Sequence, residues 1–125
     1  MSASSEVQTR FSTTDLTTSE WLIVKDDGDG NCSLATAATD KIIGAIQDVG
    51  KGASTVVGIG ELAGREYKVK CGGTVESGDA LTADSASKAV ATTTDGDVVF
   101  GWALEDGASG GVIRYQCAKS RLYIA

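Results

Sequence analysis

Three short stretches carry residue types and spacings that could do chemistry. Residues 26–31, DDGDGN, put Asp27, Asp29 and Asn31 at the first, third and fifth positions of a calcium-binding loop. That loop needs glycine at its sixth position and a bidentate glutamate at its twelfth, and here those places hold Cys32 and Ala38. A glycine-rich turn is the expectation. Residues 58–63, GIGELA, follow Thr55-Val56-Val57 and satisfy a GxGxxA dinucleotide fingerprint. The fingerprint works only where a helix opens and points its N-terminus at a pyrophosphate. Because EYKVKC at 66–71 alternates like a strand, these glycines are read as serving turns or close packing between strands. Glu105 and Asp106 could pass for a catalytic carboxylate pair, but adjacent residues on a strand point to opposite faces and cannot cooperate.

Lys51, flanked by Gly50 and Gly52, sits at an expected hairpin tip. Lipoyl and biotinyl carrier domains present a modified lysine at such a tip, beside an Asp or between methionines, whereas both neighbours of Lys51 are glycine. Asn31-Cys32-Ser33 is formally a glycosylation sequon. Histidine is absent altogether, which removes Ser-His-Asp and Cys-His catalytic arrangements and His-ligated zinc. Cys32, Cys71 and Cys117 are odd in number and show no CxxC spacing, so neither a disulfide framework nor a zinc ribbon is indicated. Cys71 alternates in phase with Tyr67 and Val69, and Cys117 with Ile113 and Tyr115, so both are expected as small buried hydrophobes. No catalytic residue, cofactor or metal site is expected.

The elements that must position these residues are short. A chain of 125 residues makes one domain. Its longest conspicuous apolar run, Trp21-Leu22-Ile23-Val24, is far shorter than a membrane span. The first 20 residues show no basic segment followed by an apolar one, so no secretory signal is visible and a cytoplasmic origin is expected. A net charge of −6 with no basic block disfavours nucleic acid as a partner.

Residues 1–20 are rich in Ser and Thr, with Phe11 and Leu16 as isolated apolar points, and are expected to form a flexible N-terminal arm. From Trp21 to Ala125, β-rich runs alternate with Gly, Asp, Asn and Ser: WLIVK, KIIGAI, TVVGI, EYKVKC, DALTA, KAVATT, DVVFGWAL, GVIRYQC and RLYIA. This predicts a mainly β fold, a small antiparallel β-barrel or tulip-like domain over 21–125. There is an internal echo. Residues 33–49 and 89–107 share an Ala-Thr pair, a Thr-Asp turn, two β-branched residues, a glycine, an apolar pair and an acid. Their alignment needs one extra residue near Phe100-Gly101, the mark of a β-bulge. Val98, Phe100, Trp102 and Leu104 are then expected on one face, in the core or at an interface.

Residues 69–116 resemble the capsid cement, or head decoration, proteins of tailed bacteriophages. The shared order is a GG turn, V.SGDALTAD, a KAV strand, GD.V.G.ALEDG and a closing G.I strand; IIGAIQDVGKGAS extends the match to about residues 35–117. The resemblance implies a β-barrel-like or tulip-like subunit on the outer surface of the virion's capsid. It binds the major capsid protein, commonly as a homotrimer, and stabilises the shell. On that reading Phe11 and Leu16 are candidate capsid-binding anchors of the arm. Trp102, Leu122 and Ile124 are candidate subunit contacts. A carrier or small-ligand-binding β module, or another virion component such as a tail-tube or fibre-base protein, is the alternative.

Overall fold

The computed structural model describes residues 7–12, 16, 18–49 and 56–121, and ten strands account for its regular structure. In chain order these are β1 (Gln8–Phe11), β2 (Ile23–Gly28), β3 (Asn31–Leu34), β4 (Ile42–Val49), β5 (Val56–Gly60), β6 (Glu66–Lys70), β7 (Ala80–Ala83), β8 (Ala89–Ala91), β9 (Val98–Ala103) and β10 (Val112–Arg121). No helix occurs among the described residues. The mainly β class expected from alternation is therefore what the chain adopts. β6 shows the pattern most plainly: Tyr67 and Val69 are buried while Glu66 and Lys68 face solvent.

The strands form two sheets. In the first, the order β1-β3-β2-β4-β5 closes into a ring. β1 runs antiparallel to β5, from Gln8↔Ile59 to Phe11↔Val56, and meets β3 in parallel at Phe11↔Asn31. The second sheet runs β6-β10-β9-β7-β8, and a parallel bridge, Cys71↔Ala89, brings the end of β6 back to β8. The two sheets share one plan. β1, β3, β2, β4 and β5 stand to one another as β6, β8, β7, β9 and β10 do, down to the parallel contact between first and third partners.

Equivalent rungs carry equivalent chemistry. Val24 pairs Gly44 in one sheet, and Leu81 pairs Gly101 in the other. A Cβ on Gly44 would run into the carbonyl oxygen of Gly60, and one on Gly101 into that of Gln116. Gly60 and Gln116 are themselves matched, opposite Ala45 and Trp102. The internal echo in the sequence is thus a repeated structural unit, and its glycines are there because a neighbouring backbone occupies the place of a side chain.

Two apolar clusters hold the sheets. Leu16, Val24, Cys32, Ile43, Ile46, Val57 and Ile59 form one cluster of the first sheet. The larger cluster joins Ile23, Ala35, Ile42 and Ala45 of the first half to Tyr67, Val69, Leu81, Phe100, Ile113 and Tyr115 of the second. Each large side chain buried this way contributes about 1.5–3 kcal/mol. At its centre the Phe100 ring meets Tyr115 edge-on, with centroids 4.9 Å apart.

Two expectations need correction. The stretch read as an arm without strand structure supplies β1, and Leu16 is 1% exposed in the first cluster. QTRF is too short for periodicity to declare it; pairing with β5 and β3 makes it a strand. Residues 1–6, 13–15 and 17 lie outside the described residues. Likewise, Val98, Phe100, Trp102 and Leu104 do not share a buried face, since Phe100 is fully buried and Trp102 is 41% exposed. The extra residue sits in β10, between Cys117 and Ser120 and opposite Phe100, rather than in β9. The β9–β10 register therefore breaks at Phe100, between Gly101 and Val99.

Candidate functional site

At the closure of the ring, a charged fork fixes β1. Arg10 donates from Nε to Glu61 Oε2 at 2.8 Å and from Nη2 to Glu61 Oε1 at 2.8 Å, while its Nη1 reaches Asp26 Oδ1 at 3.5 Å. The Glu61 side chain is 6% exposed and that of Arg10 is 20% exposed. The hydrogen bond to Glu61 raises the Arg10 pKa above its ordinary value against the opposing cost of burial, so the guanidinium stays charged. Three segments meet here: β1, the residue after β5, and β2.

Beside the fork lies the β2–β3 hairpin. Asp29 and Gly30 form its two-residue turn with φ of 54° and 81°, the left-handed pair that such a hairpin requires. Gly28 N donates to Asp26 Oδ1 at 2.9 Å, which ties the turn to the carboxylate that Arg10 also contacts. Phe11 N donates to Gly30 O at 3.0 Å, joining the end of β1 to the hairpin tip. The result is an aromatic side chain, Phe11, 52% exposed on a strand that is hydrogen-bonded on both sides. Asp27, Asp29 and Asn31 are exposed on the adjoining hairpin. Such an arrangement can bind a surface.

The other candidates are dispersed. Trp102 lies in the second sheet, opposite Gln116 and Ala80, and Phe11 in the first. Leu16 is in the core, so it is not a surface anchor. Leu122, Ile124 and Lys51 lie outside the described residues. DDGDGN is the hairpin just described. In GIGELA the glycines belong to β5 and no helix opens; a Cβ on Gly60 would strike the Tyr67 ring, so this glycine serves close packing. Glu105 and Asp106 follow the end of β9 and turn to different partners. Glu105 Oε2 accepts from the Arg114 backbone N at 2.7 Å, whereas Asp106 Oδ1 accepts from Ser77 N at 2.9 Å.

The three cysteines are free and buried, and Cys71 and Cys117 sit in the core with the neighbours their alternation gave them. Burial pushes the Cys32 thiol up to about 11, with Arg10 pulling the other way. It is therefore protonated and unreactive near neutrality. Among the described residues, no group of three or more His, Cys, Asp or Glu side chains is placed to hold a metal ion.

The residues that sequence reasoning missed are Arg10 and Glu61. They are 51 positions apart, and nothing local couples them. The available signal was weak: an Arg and a Glu, each beside a β-rich run, whose burial would demand an opposite charge.

No family model matches the chain, and no curated protein matches it. Among solved structures, the chain is similar to the N base of the head fibre gp8.5 of bacteriophage phi29, with 27% sequence identity and a TM-score of 0.63. The similarity covers 94% of this chain and 97% of that one.

Proposed function

We propose that this chain is a structural protein of a phage virion that stands on the outer surface of the head as the base of a fibre. The observation that carries this reading is the likeness to the head-fibre base of phi29, which spans nearly the whole of both chains at 27% identity. The role is one of binding and support, and the partner is the major capsid protein. A net charge of −6 suits a shell's outer face better than a DNA-facing interior. The test is to mix the purified protein with heads of its phage assembled without it and to image them. Added density at regular positions on the shell is the expected result. Heads that stay bare, or density confined to the tail, would overturn the proposal.

A second reading is that the chain also cements the shell. The order of turns and strands over residues 69–116, which resembles the head decoration proteins, favours it. Heads loaded with the protein should then resist heating to a higher temperature than bare heads. The same heads with unchanged heat resistance would leave a fibre base without a cementing role. We further propose three copies per site, since a homotrimer matches a three-fold position with equivalent contacts. Trp102, exposed on the second sheet, is the candidate subunit contact within the described residues. Sedimentation of the free and Trp102→Ala proteins tests this: a trimer that the substitution weakens is expected, and a protein monomeric both in solution and on heads opposes it.

A further inference from the structure

We infer that the end of β1 and the β2–β3 hairpin form a preset docking knob, an aromatic centre with carboxylates beside it. Its partner is an apolar pocket rimmed by Arg or Lys on a capsid subunit. The inference rests on the head-surface reading above and names the contact through which it works.

Three observations lead to it. Phe11 is the most exposed large apolar side chain among the described residues, at 52%. A hydrophobic residue in water on a surface arm would be unremarkable, but Phe11 is not on a loose segment. Its strand is paired to β5 through four registered positions and to β3 at Asn31, its own N–H is bonded to Gly30, and the preceding residue is clamped to Glu61 and Asp26. The backbone that carries the ring is thus ordered before any partner arrives, which removes much of the ordering cost of binding.

The third observation is charge. Arg10 is committed to Glu61 and Asp26. Asp27 and Asp29 are exposed on the same hairpin, with no ion-pair partner among the described residues. Two exposed carboxylates that form no ion pair, on the hairpin whose tip is bonded to the Phe11 backbone, fit a partner that supplies cations around an apolar hollow. They disfavour a second copy of this acidic chain or an anionic surface.

The same heads, assembled without the protein, serve as the probe. Wild type, Phe11→Ala and the double variant Asp27→Asn with Asp29→Asn are titrated onto them in low and high salt. Asn keeps the hairpin chemistry, because it tolerates the left-handed conformation of Asp29, and circular dichroism verifies that both variants fold. Phe11→Ala is expected to weaken binding by about tenfold or more, as loss of a central aromatic anchor does. The double variant should bind about fivefold more weakly in low salt and lose most of the wild-type salt dependence. Wild-type binding to heads with both variants unimpaired would overturn the knob while leaving the head-surface role intact. Failure of the wild type to bind at all would overturn both. If Phe11→Ala changes sedimentation of the free protein but not its binding to heads, the knob is a contact between copies, and the inference is wrong.

Discussion

The Tyr115 hydroxyl donates to the carbonyl of Gly60 at 3.2 Å, across the junction between the two sheets. The same oxygen accepts from Ala45 N at 3.2 Å, so a single side chain of β10 serves one donor and one acceptor on the paired strands β4 and β5. Tyr115 is fully buried. Tyr115→Phe keeps the ring against Phe100 and strands both backbone groups away from water. A loss of about 1–3 kcal/mol is expected, measured by urea denaturation.

Stability should fall in alkali. Burial pushes Cys32 from 9.0 up to about 11 and lifts Tyr115 above its usual range. For both groups the folded state holds its proton more tightly than the unfolded chain, so the contribution is fully present below the unfolded pKa and is lost as pH rises through the folded one. The Cys32 window is therefore from about pH 9 to about pH 11. Denaturation midpoints compared at pH 7, 9 and 10.5 should drop across that window. Cys32→Ala, which removes the titrating group, should flatten the drop.

Breaking the fork at the ring closure should loosen β1 before anything else. Glu61→Gln removes the close ion pair and one of its two acceptors, and leaves Arg10 only the longer charge contact, to Asp26. Because Arg10 keeps part of its side chain in water, the cost should sit near the lower end for a buried pair, about 3 kcal/mol. Amide hydrogen exchange at residues 8–11 should quicken more than exchange in β9 or β10. Uniform quickening along the chain would show that the fork does not act locally.

Gly44→Ala and Gly101→Ala test the repeat. Both place a methyl group against a backbone carbonyl that cannot swing aside, in the same rung of each half. Each should lower stability by about 1–3 kcal/mol or more, as overpacking does. A neutral Gly101→Ala would mean that the second sheet is looser there than its twin.

What the sequence disclosed follows from how local the cause is. Alternation in EYKVKC and VIRYQC marked β6 and β10 and placed Cys71 and Cys117 inside, because a strand's faces are written at every second residue. The echo between residues 33–49 and 89–107 was readable because the same turns and strands recur in order. β1 was hidden, since four residues carry little periodicity and its place is decided by β5, some 50 positions away. The split between Phe100 and Trp102 was hidden too, because burial depends on what packs over each residue and not on its place in the alternation. At the candidate site, Phe11 was legible as an isolated apolar point, but the clamp that fixes its strand was not, and Leu16 looked equally available although the first cluster absorbs it.

β10 has a mechanical meaning. It is the longest strand and lies between β6 and β9, antiparallel to both. A pull along its axis does not peel rungs one after another. It loads two ladders together in shear, and Tyr115, planted in the middle of that strand, passes part of the tension to β4 and β5. A load applied at Arg121 along the strand would be shared by the whole body rather than carried by β10 alone.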